Sequence, residues 1–192
     1  MNQTNDLIWK LEQRRARDDR GSLASLRRGL GQPPGSVAEV SRVVEHMLDD
    51  DDPPSVRDTL YVIAPLFAYH HDAGGSGNMG DHFRALVAAN EDPPPNVERR
   101  FVALLSSEPD DLPDALRQAI SLLKSKPVPV NRRRLFDDVQ RWLRQGADGE
   151  QARQNVRLQW SQRFWRLRGS NQTAGAPAPQ TETESQTTEE GE

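Results

Sequence analysis

Apolar residues recur along this chain at spacings of three and four and almost never at two. Val56, Leu60, Ile63 and Phe67 lie four, three and four apart, and Leu112, Leu116, Ile120 and Leu123 follow a similar rhythm. A helix turns once in 3.6 residues, so each set lines one helix face, whereas a half-buried strand would alternate. Further stripes run through Leu7, Ile8 and Leu11; Leu23, Leu26 and Leu30; and Val40, Val43, Val44 and Met47. Others comprise Phe83, Leu86 and Val87; Val97, Phe101, Leu104 and Leu105; Leu135, Val139 and Trp142; and Val156, Trp160, Phe164 and Leu167. The fold class expected from this pattern is all-α, a bundle of about nine short helices.

Helix starts are read from capping side chains. Ser36–Glu39 ("SVAE") and Ser55–Asp58 have capping-box form, and Asn78, Asn96, Asp111 and Asn131 stand where helices should begin. Pro65 predicts a kink or break inside its stripe. Gly146 should end the arginine-rich helix, with a last helix starting near Asp148. Two proline-rich connectors, "EDPPPN" at 91–96 and "KSKPVPVN" at 124–131, are candidate joints. The expected organisation is a helical subdomain over 1–92, a second over 93–168, and an acidic, polar tail over 169–192. From Asn171 onward there is no aromatic residue and no Leu, Ile or Val, so the tail cannot bury enough surface to offset its ordering entropy and should be disordered.

Charge is unevenly distributed. The formal net charge is −4, but five glutamates and no base lie in the tail; residues 1–170 hold 25 basic against 24 acidic residues. Residues 131–168 alone carry ten arginines against Asp137, Asp138, Asp148 and Glu150. Basic clustering of this kind suits an anionic partner such as nucleic acid, or an acidic protein surface. The chain has no cysteine, which rules out disulfides, zinc–thiolate sites and a cysteine nucleophile. No apolar run approaches the roughly 20 residues that span a bilayer, and the first residues lack signal-peptide form, so a soluble cytoplasmic protein is expected.

Catalytic motifs are not in evidence. "GSGNMG" at Gly75–Gly80 has the spacing of a dinucleotide-binding loop, but the segment before it reads as helix rather than strand, so no cofactor is expected. The loop runs into a helix start and could still offer backbone N–H groups to a phosphate. His46, His70, His71 and His82 show no metal-ligand spacing, and Asp49–Asp52 lacks the alternation of a calcium loop. No serine elbow or phosphate-binding lysine loop occurs, and no carboxylate pair is nominated for acid–base work, so an enzyme is not expected. Trp142, Trp160 and Phe164 fall on apolar stripes and should be core; Trp165 falls off its stripe and is the better candidate for stacking on a base.

The segment "VNRRRLFDDVQRWL" at 130–143 poses the sharpest question. With Asn131 as cap, Arg132, Arg133 and Arg134 occupy the first turn, where the helix dipole disfavours cations by about 0.3–1 kcal/mol each. At about 100° per residue and with Arg133 at zero, Arg144, Arg141 and Arg134 fall near 20°, 80° and 100°, opposite the core stripe. Asp137, near 40°, is the one carboxylate on that face, and Arg132, near 260°, sits on the apolar side. A phosphate at this helix start would make the first turn favourable. The pairs Arg27-Arg28 and Arg99-Arg100 are further basic clusters, since adjacent helical residues cannot both face one core.

Read in order, these segments resemble the CasB family, the small subunit of type I-E CRISPR Cascade surveillance complexes. The resemblance spans roughly residues 6–166. It rests on "GSLASLRRG" at 21–29, "LFAYHHDAGGSGNMGDHFRAL" at 66–86, "VERRFVALLSSEPDDLPDALRQAISLLKSKPVPVN" at 97–131, and the later "QRWL" and "LQWSQRFW". At 131–132 the family has an acidic or amide residue and then an aromatic, so Arg132 departs from the pattern. The resemblance implies a non-catalytic helical protein present in two copies. Such a subunit contacts the large subunit and the repeated backbone subunit, stabilises the guide RNA–target DNA heteroduplex and holds the displaced non-target strand. Candidate nucleic-acid-binding residues are Arg27, Arg28, Arg84, Arg99, Arg100, Lys124, Arg133, Arg134, Arg141 and Arg144. Arg27 and Arg100 have the clearest family positions, and the last four follow from the helix face. The competing expectation is a protein scaffold with no direct nucleic-acid contact.

Overall fold

The computed structural model describes residues 3–70, 74–87 and 91–166. They form nine α-helices and no strand: α1 (Gln3–Ala16), α2 (Arg20–Arg27), α3 (Ala38–Glu45), α4 (Pro54–Tyr69), α5 (Met79–Arg84), α6 (Pro95–Leu105), α7 (Leu112–Ser125), α8 (Arg132–Trp142) and α9 (Ala147–Trp165). The expected tail, and His71, lie outside the described residues.

The bundle is organised around α4. Every residue from Thr59 to Ala68 is buried, so this helix is apolar on all sides rather than along one stripe. It packs against α1, α2, α3, α7 and α8. Helix α9 completes the other side, resting on α5 and α8. One continuous core runs from Leu7 and Leu11 through Leu60 and Ile63 to Trp142, Trp160 and Phe164. Trp142, Trp160 and Phe164 are fully buried, as their stripes predicted. The Trp142 and Trp160 rings lie 5.2 Å apart and tie α8 to α9.

Helix starts are made in several ways. Asn78 and Asn131 cap as expected: Asn78 accepts from the Gly80 N–H at 2.9 Å and Asn131 from the Arg134 N–H at 3.1 Å. Asp81 completes a capping box by accepting from the Asn78 N–H at 2.8 Å. Elsewhere prolines set the start. Helix α4 begins at Pro54 and α6 at Pro95, each preceded by a second proline, so Ser55 and Asn96 lie inside their helices rather than capping them. A proline at the first helical position has its φ already fixed and lacks an N–H that would need an acceptor, so no side-chain cap is required. At α3 the cap residue is Val37, and the Ser36 hydroxyl instead donates back to the Pro33 carbonyl at 2.7 Å. Asp111 precedes α7 without a side-chain bond to it. Pro65 lies within α4, which continues past it to Tyr69. Helix α8 ends at Trp142, and Gly146 instead precedes α9.

Two glycines allow close approach near the site. A Cβ on Gly80 would lie 2.0 Å from the Trp160 carbonyl oxygen, so α5 can touch the α9 backbone only without a side chain there. A Cβ on Gly75 would lie 2.4 Å from the Pro129 carbonyl oxygen and 2.8 Å from the Asn131 nitrogen. The glycine loop is thereby pressed against the α7–α8 connector.

Candidate nucleic-acid interface

The glycine loop and the arginine-rich helix, 50 residues apart in sequence, meet in space. Besides the Gly75 contact, His82 on α5 accepts the Asn131 N–H at its Nε2, 3.1 Å away. Burial pushes the His82 pKa down to about 4, partly countered by Asp81, so the ring stays neutral and free to accept. The connector is held from its other side by His70, whose ring nitrogen lies 2.9 Å from the Val128 carbonyl.

Around this junction lie two adjoining clefts of about 600 and 490 Å³ that share Gly77, Asp81 and Arg163. Arg84 and Arg166 line the larger cleft, and Arg134 and Asn131 line the smaller. Together they make one groove with four arginines along it and Asp81 as its carboxylate. Arg163 approaches Asp81 at 4.0 Å. Neither Arg163 nor Arg166 stands out in the sequence as a binding candidate. Their only signal is a pair of bases three residues apart at the end of α9.

The α8 arginines answer the question raised by their position. Arg134 Nε lies 3.0 Å and Arg141 Nη2 2.9 Å from Asp138 Oδ1, while Trp160 Nε1 donates to Asp138 Oδ2 at 2.8 Å. Asp138 is fully buried. Arg134 reaches further, with Nη2 2.6 Å from the Gln159 Oε1. The carboxylate that organises these arginines is therefore Asp138, not Asp137, which accepts from the Thr4 hydroxyl at 2.8 Å. Arg132 is buried with its guanidinium 4.3 Å above the Phe67 ring and 4.0 Å from Glu12. Its cation thus stacks on an aromatic face. Arg133 and Arg144 are exposed, and neither side chain forms an ion pair or hydrogen bond among the described residues.

The remaining candidates separate by what holds them. Arg27 Nε donates to the Ala68 carbonyl and Lys124 Nζ to the Tyr69 carbonyl, each at 2.9 Å. Two cations from α2 and α7 thus converge on consecutive carbonyls at the negative end of α4, with Lys124 also 3.9 Å above the Tyr69 ring. Arg100 donates to the Gln118 carbonyl at 3.1 Å. Carbonyls orient these three side chains without cancelling their charge. Arg28 is paired with Glu39. Arg99 is exposed and makes no ion pair or hydrogen bond among the described residues. Arg84 is 7% exposed and donates through Nη1 to the Glu91 carbonyl at 3.2 Å.

The described residues contain no group of three His, Cys, Asp or Glu side chains placed to hold a metal, and no helix long and apolar enough to cross a membrane. Trp165, the stacking candidate, is 42% exposed and sets its ring edge against Phe101 and Phe164.

An all-helical protein with its polar surface shaped around arginines is the class this fold and groove define. The sequence from 22 to 165 matches the family described as CRISPR-associated protein Cse2, and the chain belongs to that family. Its fold is shared with CasB from Thermus thermophilus, which is 24% identical, with 85% of this chain and 97% of that chain covered and a TM-score of 0.67. M. ruber CasB is 25% identical over 86% of this chain and 93% of its own, with a TM-score of 0.65. A chain of a CRISPR RNA-guided surveillance complex superposes with a TM-score of 0.66 at 19% identity, covering 84% of this chain and 93% of that one. No curated protein matches the sequence.

Proposed function

We propose that this protein is the small subunit of a type I-E CRISPR Cascade complex, where it holds nucleic-acid backbone without catalysing a reaction. It stabilises the guide RNA–target DNA heteroduplex and retains the displaced strand on its arginine surface. Its protein partners are the large subunit, the repeated backbone subunit and a second copy of itself. Membership in the Cse2 family supports this reading. The structural observation behind it is the set of exposed cations without a neutralising carboxylate: Arg99, Arg133 and Arg144, with Arg27, Arg100 and Lys124 anchored on carbonyls. Such charges repel one another and gain from a polyanion whose phosphates displace condensed counterions.

Binding of target DNA by the assembled complex, measured against salt, tests the proposal. Each neutralised phosphate contributes about 0.7–0.9 to the slope of log affinity on log salt, so replacing Arg99, Arg133 and Arg144 together by Ala should flatten it by about 2. An unchanged slope with unchanged affinity would refute the assignment. Exposed Leu158 and Trp165, seven residues apart on one face of α9, favour a protein contact there in addition.

A further inference from the structure

We infer that the acidic segment 182–192 docks on the arginine surface of its own chain and competes there with nucleic acid, an inference that rests on the strand-holding role proposed above. Charge complementarity is the first reason. Glu182, Glu184, Glu189, Glu190 and Glu192 fall within these eleven residues, with no base among them. Arg99, Arg133 and Arg144 are exposed and make no ion pair among the described residues, so the bundle offers cations that lack a carboxylate. The tail is the most acidic stretch of sequence without a base, and it is attached to the same chain.

The place where the chain leaves the bundle is the second reason. The Phe101 ring on α6 lies 4.2 Å from that of Phe164 and 5.4 Å from that of Trp165, while Arg134 on α8 reaches Gln159 at 2.6 Å. The last turns of α9 are therefore seated between α6, which carries Arg99 and Arg100, and the first turn of α8, which carries Arg133. Residues 167–181 follow, with no carboxylate and with Gly169, Gly175, Pro177 and Pro179 among them. Such a connector extends to at most about 50 Å, whereas Arg133 and Arg144 lie roughly 17 Å apart along their helix. A tether that exceeds the required span by a small factor holds its acids over the surface at an effective concentration of about millimolar.

Exposed carboxylate–arginine pairs are weak and screened by salt, so a docked tail is displaceable. A nucleic-acid strand carries a phosphate at every nucleotide and releases condensed counterions when it binds, a charge density that five glutamates do not match. The tail thus suppresses loose association with passing nucleic acid and yields to a strand that the rest of the complex already holds beside the surface.

The chain has no cysteine, so Ser185→Cys accepts a single spin label within the acidic segment of the full-length protein. At low salt the label should broaden backbone amide resonances around Arg99 and Arg133 and spare α3, which packs on α2 and α4. The broadening should fade near 1 M salt, where the Debye length is about 3 Å. It should also disappear when all five glutamates are replaced by Gln, or when Arg99, Arg133 and Arg144 are replaced by Ala. A spin-labelled chain mixed with an isotope-labelled chain that carries no spin label should show none. The five-Gln form should bind a single-stranded oligonucleotide about threefold or more tightly than the native chain at low salt. Absent or uniform broadening, broadening only between chains, or equal oligonucleotide affinity of the native and five-Gln forms overturns the inference. Localised broadening in a protein whose assembled complex retains no strand would instead refute the strand-holding reading and leave the docking in place.

Discussion

Replacing Asp138 by Ala should be the most destabilising single change on the arginine face. The carboxylate is fully buried and is the acceptor for Arg134, Arg141 and Trp160 Nε1. Truncation leaves the Trp160 N–H buried without an acceptor, a loss of about 1–3 kcal/mol. The two arginines are about a third exposed, so water recovers part of their loss, and their pairs should be discounted toward surface values of at most about 1 kcal/mol each. The sum, about 3 kcal/mol, sits at the lower end for breaking a buried pair. For a chain of this size it corresponds to a fall in Tm of roughly 6–12 °C. Chemical denaturation should show the midpoint shift without a change in slope. Asp138→Asn keeps an oxygen for Trp160 and should lose only about 1–2 kcal/mol. In a Trp160→Phe background no donor is orphaned, so Asp138→Ala should be milder by about 1–3 kcal/mol. If Asp138→Ala lost less than about 1 kcal/mol, or lost the same in both backgrounds, the buried carboxylate would not be organising α8 on α9.

Three further outcomes follow from other residues. His82 has its folded pKa lowered from 6.5 to about 4, so the native state resists protonation: stability is full above pH 6.5 and falls as pH drops toward 4, by on the order of 3 kcal/mol. His82→Gln should remove that slope in a urea series across this window. Gly80→Ala forces a Cβ to within 2.0 Å of the Trp160 carbonyl and should separate α5 from α9, with a loss above about 2 kcal/mol read by chemical denaturation. Removing residues 171–192 deletes five negative charges and no positive one, so non-specific affinity for single-stranded DNA should rise at low salt and converge with that of the full chain at high salt. A gel-shift series across salt concentrations reads this directly.

The helical pattern was legible because each stripe is local: 3.6-residue periodicity places Leu60, Ile63 and Phe67 on one face whatever surrounds them. Asn78 and Asn131 were legible for the same reason, since a cap satisfies N–H groups two or three residues away. Ser55 and Asn96 misled because neighbouring prolines start those helices two residues earlier. What sequence could not show was the meeting of distant segments. Asp137 and Asp138 are adjacent and chemically alike, and only the packing of α9 against α8 brings Trp160 to Asp138 and buries it. Likewise the contact of Gly75 with Pro129 and of His82 with Asn131 depends on how α5 and the connector pack, so the groove joining two suggestive motifs had no local signature. Arg84, named as a nucleic-acid-binding candidate, proves to be buried beside that groove.

The most direct test of the central claim is nuclease protection of the displaced strand in target-bound complexes assembled with this protein, without it, or with its Arg99, Arg133 and Arg144 replaced by Ala. The account predicts strong protection with the native chain, cleavage without it, and intermediate cleavage with the variant although the subunit is retained in the complex. Equal protection in all three assemblies would show that the uncompensated arginines hold no strand, and would contradict it.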